Sequence, residues 1–355
     1  FEKAYNLNPL INLAALNRLI KINKKKYLTN FKKKEITEII KNNKINTQNL
    51  AYAYFILSKF ALKEKNYKKE LDYLIKGHEN YYEFKRKSFR DGLNYWLTKI
   101  PNLTYLKKIN ISKNNNEFID IKPIFIVGVP RTGSTLIERI IVSGKNKLPL
   151  GEESGIISSS IGDKILKKKL QEKNINHLKE EIVKKYYLKS LINKKNKYTF
   201  TDKTLENFFF IELIYQMFPS AKIINCNRNP ISTILSIIKN NLTEVPWAHN
   251  VENILKYYDN YLKIINYYKK KFPKLIYDFN YDELLNNPEQ MSKNVYKYCD
   301  LEWDKVCLDF YKRKDLIAST ASNLQIRKSI YKHKKVNSYY INFFEKYKKK
   351  YNWLI

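Results

Sequence analysis

The run Ile124-Phe125-Ile126-Val127 passes through Gly128-Val129-Pro130-Arg131-Thr132-Gly133-Ser134-Thr135 into the apolar stretch Leu136-Ile137-Glu138-Arg139-Ile140-Ile141, and no other segment so narrows what the chain can fold into. A near-continuous apolar run of this length is what a strand buried on both faces of a parallel sheet requires. A glycine turn and a helix start follow at once, which is the geometry of an anion cradle. The N–H groups of the turn and first helical turn lack intrahelical partners, and the helix dipole adds partial positive charge. Gly133 permits close backbone approach, while Ser134 and Thr135 can cap the helix or offer hydroxyls to anion oxygens. The turn is not a Walker A loop, because no Lys follows the glycine, which disfavours a Mg²⁺-nucleotide triphosphatase. Taken alone, it also fits a capped strand-to-helix turn that binds nothing.

Around this segment the sequence changes grammar. The first hundred or so residues carry helical periodicity with almost no β-type alternation, broken by turns such as Lys41-Asn42-Asn43-Lys44. Within them, Ala51, Tyr54, Leu57 and Phe60-Ala61, then a Lys65-Asn66 turn, then Tyr67, Leu71, Leu74 and Gly77, resemble a tetratricopeptide unit, whose paired helices bury their faces by stacking on neighbours; a plain helical bundle is the alternative. The hydrophilic stretch Ile111-Ser112-Lys113-Asn114-Asn115-Asn116-Glu117 makes a boundary. Beyond it, short apolar strands alternate with helices, the syntax of an α/β fold with a parallel sheet. Strands are predicted over Ile124 to Val129, Tyr198 to Thr201, Lys222 to Asn225 and Leu275 to Phe279. Helices are predicted from Ser134, Leu205, Ile231 and Pro288, with a long one from Val251 to Lys271.

The order of motifs after the boundary carries a family resemblance. Val129-Pro130-Arg131-Thr132-Gly133-Ser134-Thr135 resembles the 5′-phosphosulfate loop of sulfotransferases that use 3′-phosphoadenosine 5′-phosphosulfate (PAPS), in particular the tetratricopeptide-linked bacterial branch and the tyrosylprotein sulfotransferases; Thr132 and Ser134 are conservative departures from the usual P-R-S-G-T-T. Arg228, at the start of Arg228-Asn229-Pro230-Ile231, and Ser236 eight residues on resemble the family's 3′-phosphate pair. An Arg fork and a hydroxyl suit a dianionic phosphate. Tyr281 in Asn280-Tyr281-Asp282-Glu283-Leu284 resembles the Tyr that lies against adenine. Gly151-Glu152-Glu153-Ser154 resembles the segment carrying the proposed base, the second Glu in the tyrosylprotein enzymes and a Glu directly after the glycine in simpler bacterial members, so Glu152 and Glu153 both stand. Lys203 in Thr201-Asp202-Lys203-Thr204 resembles the Lys that stabilises charge on the transferring group. The segment Ser319 to Tyr331 resembles the loop that closes over the donor, with Ser322, Arg327 and Lys328 as contacts, although Ser329 stands where proline is usual and Val336-Asn337-Ser338-Tyr339 replaces V-G-R-W.

The resemblance therefore implies a tetratricopeptide-like helical region over residues 1–115 and a sulfotransferase domain over 119–355, with PAPS as co-substrate, PAP as product and no metal. Arg131 and Lys203 would stabilise the sulfuryl oxygens and the departing phosphate, with the backbone around Gly133 to Thr135 cradling the 5′-phosphate. Acceptors still open are a peptide tyrosine, a glycan hydroxyl and a small-molecule hydroxyl, with a protein partner left open for the helical repeats. The rival readings are a kinase-like nucleotide phosphotransferase on the same cradle and a non-enzymatic helical-repeat scaffold.

The formal charge of +33 points toward nucleic acid, but only eight of the 67 basic residues are Arg, and Lys is spread along the whole chain with Asn, Ile and Tyr. That is a compositional bias rather than a binding patch, so no nucleic-acid partner is expected. The scarcity makes each Arg informative, because Lys does bidentate phosphate recognition poorly. Cys226, Cys299 and Cys307 are odd in number and lack metal-ligand spacing, which fits a reducing, cytoplasmic compartment, and no apolar run approaches the roughly 20 residues that span a bilayer. None of His78, His177, His249 or His333 sits in a ligand or triad pattern. The opening residues from Phe1 to Pro9 read like the tail of a helix, so an upstream segment is expected.

Overall fold

The computed structural model describes residues 1–7, 12–41, 45–103, 121–166, 175–192, 198–316, 327, 329–331 and 336–354. The boundary stretch at 111–117 lies outside them. The chain divides into two compact units, Phe1–Asn94 with Ile234–Lys256 and Val336–Ile355 in one, and Tyr95–Thr233 with Tyr257–Lys335 in the other.

The first unit is helical. It opens with α1 (Glu2–Leu7), α2 (Leu13–Ile22), α3 (Lys24–Tyr27), α4 (Asn30–Lys41), α5 (Thr47–Lys63) and α6 (Tyr67–Asn94). In α2 the apolar positions recur at helical spacing, and Leu13, Leu16, Leu19 and Ile20 are all buried. Asn46 caps α5 by accepting the N–H of Asn49 at 2.9 Å. A short turn, with Lys65 at φ 56°, joins α5 to α6, and the two helices pack closely enough that a Cβ at Gly77 would lie 2.6 Å from the Phe55 ring. Later segments add a polar tie. The buried Glu70 carboxylate accepts from the Tyr340 hydroxyl and pairs with Lys239 Nζ at 3.0 Å.

Two of the histidines meet in this unit. His78 and His249 are 4% and 2% exposed, and their Nδ1 atoms are 3.1 Å apart. His78 Nε2 lies 2.7 Å from the Ile238 carbonyl and His249 Nε2 lies 3.2 Å from that of Leu242, while Tyr81 and Phe89 stack on His249. The three polar contacts call for three hydrogens, and two neutral imidazoles supply two. A third proton is nonetheless resisted. Burial pushes His78 down to about 4, and burial followed by the neighbouring His78 pushes His249 down to about 3.

The second unit is α/β. Four parallel strands, β1 (Lys122–Gly128), β2 (Thr199–Asp202), β3 (Lys222–Asn227) and β4 (Ile276–Asn280), pair in the order β2-β1-β3-β4, with Ile124 opposite both Thr201 and Lys222, and Ile223 opposite Ile276. β1 is buried from Pro123 to Gly128, as its apolar run predicts. Its helices are α7 (Ser134–Val142), α8 (Ile156–Leu166), α9 (Ile175–Ile192), α10 (Ile211–Met217), α13 (Tyr281–Asn286) and α14 (Pro288–Tyr298); α11 (Pro230–Asn240) and α12 (Val251–Lys271) each have residues in both units, and α15 (Ser338–Lys348) belongs to the first. The helix expected from Leu205 begins as a 3₁₀ turn, Leu205–Phe210, before α10. On one face of the sheet Ile137, Ile140 and Ile141 of α7 pack with Ile126, Ile224, Phe279 and Val295, and the Tyr296 hydroxyl donates to the Ile140 carbonyl at 2.8 Å. Elsewhere in the unit, Phe125, Tyr186, Phe200 and Phe218 form a ring cluster. The expected fold class, a parallel sheet flanked by helices beside a helical N-terminal region, is the one observed.

The buried histidines make stability depend on pH in a defined direction. Both take up protons in the unfolded chain near 6.5 but in the fold only at about 4 for His78 and about 3 for His249, so the stability they permit is complete above pH 6.5 and declines as pH falls toward 3. The urea midpoint is expected to fall over that window, and to fall less steeply in His249→Phe. Equal slopes for the two proteins would contradict this account.

Candidate functional site

Because β1 lies between β2 and β3, the chain leaves β1 toward one edge of the sheet and leaves β3 toward the other. The carboxyl ends of these two strands therefore flank the crevice where parallel α/β sheets place ligands. The turn after β1 is tightly built. Thr132 Oγ1 donates to the Val129 carbonyl at 2.8 Å, Arg131 takes φ 77° and Gly133 takes φ 90°. α7 then starts at Ser134 with Gly133 at its N-cap and no side-chain cap bond.

Loops after β3 and β4 close on this turn. The Tyr281 ring lies against Gly133, where any Cβ would penetrate the ring, so only glycine fits that position. Arg228 stands over the same ring at 5.0 Å from its centroid, and its Nη1 donates to the Arg131 carbonyl at 3.3 Å. Asp282 Oδ2 accepts the N–H of Asn229 at 3.0 Å, and Asn280 caps α13 by accepting from Asp282 and Glu283, which fixes the β4 loop to the β3 loop. Arg131 is pushed below the usual guanidinium range, first by burial and then by the charge of Arg228. The Arg228 side chain is 16% exposed, and its buried Nε has no hydrogen-bond partner among the described residues, with Asp282 Oδ1 4.0 Å away. Two guanidinium groups crowded at a helix start form a site that an anion relieves.

A second cluster joins the segment 151–155 to the end of β2. Gly151 N–H donates to Thr201 Oγ1 at 2.9 Å, and a Cβ on Gly151 would overlap the Thr201 carbonyl. Lys203 N–H donates to the Glu152 carbonyl at 2.7 Å, and Gly155 N–H donates to Thr204 Oγ1 at 3.0 Å. The buried Asp202 carboxylate accepts from the hydroxyls of Ser154 and of Tyr186, the latter at 2.6 Å. Lys203, 1% exposed, extends its ammonium to Glu153 Oε1 at 2.8 Å, whereas the Glu152 carboxylate lies 3.8 Å from the buried Arg139. The two glutamates therefore have different surroundings. Beside them Glu206 is raised to about 7 by burial, with Glu153 and Asp202 adding to the rise.

Arg131, Thr132, Gly133, Arg228 and Tyr281 thus come together in one cluster, with Ser134 and Thr135 opening α7 from it, and Glu152, Glu153 and Lys203 come together in another. Ser236 lies on α11, where its carbonyl accepts from Asn240 at 2.7 Å. Arg327 is exposed, while Ser322 and Lys328 lie outside the described residues. Sequence reasoning missed Glu138, Asp202, Glu206 and Tyr186. The available signal was a charged pair, Glu138-Arg139, inside the apolar helix that follows the glycine turn, and both members are buried. Among the described residues no three His, Cys, Asp or Glu side chains cluster as metal ligands, and no helix is long and apolar enough to cross a membrane.

The fold and the two clusters define an α/β protein with Arg131 and Arg228 gathered at the glycine turn before α7 and a carboxylate–ammonium pair, Glu153 with Lys203, after β2. The sequence pattern of the Sulfotransferase family matches residues 123–305, more than half of the chain, and the protein belongs to that family. An uncharacterized protein of Aquifex aeolicus is 28% identical over 299 residues, which are 80% of this chain and 39% of that protein, so the chain spans well under half the length of this relative. Solved structures with partial likeness include the sulfotransferase domain of the Synechococcus PCC 7002 olefin synthase, with 15% identity over 67% of this chain and 98% of that one at a TM-score of 0.46. Sulfotransferase STF9 from Mycobacterium avium has 13% identity over 76% and 86% at 0.39.

The fit at Gly151 is directly testable. Gly151→Ala drives a methyl group into backbone that cannot swing away, and is expected to cost about 2 kcal/mol or more in denaturant unfolding. A loss below about 0.5 kcal/mol would show that the segment is not seated on Thr201.

Proposed function

We propose that this chain transfers a sulfuryl group from PAPS to an acceptor hydroxyl, and that the site residues read from the sequence serve that reaction. The observation that carries the proposal is the convergence of Arg131 and Arg228 with Tyr281 on the glycine turn at the start of α7, in a loop without a Walker Lys. A donor with phosphate at both the 3′ and 5′ positions supplies the anions that two crowded guanidinium groups favour, and its adenine suits the Tyr281 ring.

In this reading the backbone from Gly133 to Thr135 holds the 5′-phosphate, Arg228 with Ser236 binds the 3′-phosphate, and Ser322, Arg327 and Lys328 complete the donor contacts. Glu153 takes the proton of the acceptor hydroxyl as its oxygen bonds to sulfur and the bond from sulfur to the 5′-phosphate oxygen breaks. Lys203 and Arg131 stabilise the charge on the sulfuryl and departing oxygens, and the products are a sulfate ester and PAP. Glu153 is preferred over Glu152 because its carboxylate is 57% exposed and bonded to Lys203, whereas that of Glu152 is turned toward Arg139. The reading includes no metal. The acceptor is a peptide tyrosine, a glycan or a small molecule, and the helical unit, read as tetratricopeptide-like, offers a surface for a protein partner. Three buried unpaired cysteines suit a reducing, cytoplasmic setting.

PAP is expected to raise the melting temperature of the protein strongly and Mg-ATP only slightly; stabilisation by Mg-ATP alone would favour phosphotransfer instead. Arg228→Ala should weaken PAP binding about 30-fold, roughly 2 kcal/mol, by calorimetry. Incubation with radiolabelled PAPS and a lysate fraction should transfer label to an acceptor, and Lys203→Ala should slow that transfer on the order of 100-fold.

A further inference from the structure

The carboxylate of Glu138 has no part in the roles above, yet three elements of the site meet on it. It is 1% exposed and lies four residues into α7 from Ser134, on the same face of the helix one turn on. Its Oε1 accepts the Thr201 hydroxyl at 2.9 Å and the N–H of Glu152 at 3.0 Å. The Thr201 oxygen in turn accepts the Gly151 N–H at 2.9 Å, so a single carboxylate oxygen orders two successive amides of the 151–155 segment, one directly and one through a hydroxyl. Arg139, its neighbour on α7, faces the Glu152 side chain at 3.8 Å. Lys203 is near enough that its charge works against the rise that burial imposes on Glu138.

We infer that Glu138 is a positioning residue: it ties the helix that begins at the anion cradle to the segment bearing Glu153 and to the end of β2 bearing Lys203, and so sets where the base and the ammonium stand relative to the donor. This rests on the sulfotransferase reading for its chemical meaning, but the tie itself is a property of the fold. The bond network needs an acceptor atom at Oε1 rather than a charge, because both groups bonded to that atom are donors. Removing the acceptor leaves the Glu152 N–H and the Thr201 hydroxyl without their partner in a buried place, and the segment would shift to find water. A displacement of about 1 Å at the reacting groups is enough to slow chemistry on the order of 100-fold while leaving a donor site on other loops intact.

Two variants separate these effects. Glu138→Leu keeps approximate bulk without an acceptor, and Glu138→Gln keeps the carbonyl oxygen and discards the charge. Hydrogen exchange of the 151–155 amides is expected to speed up about tenfold or more in Glu138→Leu and to stay within about threefold of the parent in Glu138→Gln. PAP affinity should remain within about threefold in both. The basal conversion of PAPS to PAP with water as acceptor should fall about 30-fold or more in Glu138→Leu and be largely recovered in Glu138→Gln. Thr201→Val, which removes one of the two donors, should give an intermediate loss and stands in if Glu138→Leu does not fold. The inference is overturned if 151–155 exchange is unchanged in Glu138→Leu, if Glu138→Gln loses as much turnover as Glu138→Leu, or if PAP affinity falls in step with turnover. Failure of the parent protein to bind PAP would reject the proposed reaction instead, and the exchange measurement would still decide the tie.

Discussion

A parallel strand cannot pair again until the chain has crossed back over the sheet, and here the crossovers after β1 and after β3 go to opposite edges. That single constraint opens the crevice in which the functional groups gather. Because β1 is central and buried on both faces, its end is held from both sides, and the sharp turn with a left-handed Arg131 is supported by the surrounding structure. The loops after β3 and β4 then converge on that turn, with Asp282 bonded across to the Asn229 N–H and held in place by Asn280. Arg131 and Arg228 are consequently forced near one another. The charge of Arg228 adds to burial in pushing Arg131 below its usual range, an effect that a neighbouring anion would oppose.

The parts of this arrangement that are local in sequence were legible from it. The apolar run of β1, the glycine at the only position that fits beneath Tyr281, the isolated Arg at the end of β3 and the proline at the start of α11 each state their structure within a few residues. Lys203 was legible only through its position after a strand, since 59 lysines make the residue type uninformative. The joins between segments were not legible. Glu138 and Thr201 are 63 residues apart, and His78 and His249 are 171 apart, with nothing in either neighbourhood to name the partner. Which of Glu152 and Glu153 faces Arg139 and which faces Lys203 was likewise invisible. The 3₁₀ turn at Leu205–Phe210 arises where three consecutive Phe residues are all buried, a demand that a regular helix with one apolar face does not meet.

The two clusters of the site obey different physics. The basic cluster is under-satisfied: Arg228 Nε lacks a partner among the described residues and the nearest carboxylate oxygen is 4.0 Å away. The acidic cluster is over-determined, with Asp202 and Glu138 each receiving two or more donors and Gly151 fitted against backbone. In the proposed reaction affinity would belong with the first and geometry with the second, a division suited to transfer of a charged group when positioning supplies most of the rate.

One turn of α7 separates Ser134 from Glu138, a rise of about 6 Å. In the proposed reaction that short rod would act as a ruler between the glycine turn and the 151–155 segment, which Glu138 ties to it. A helix is far stiffer along its axis than a loop, so on that reading the spacing between donor and base would follow backbone pitch.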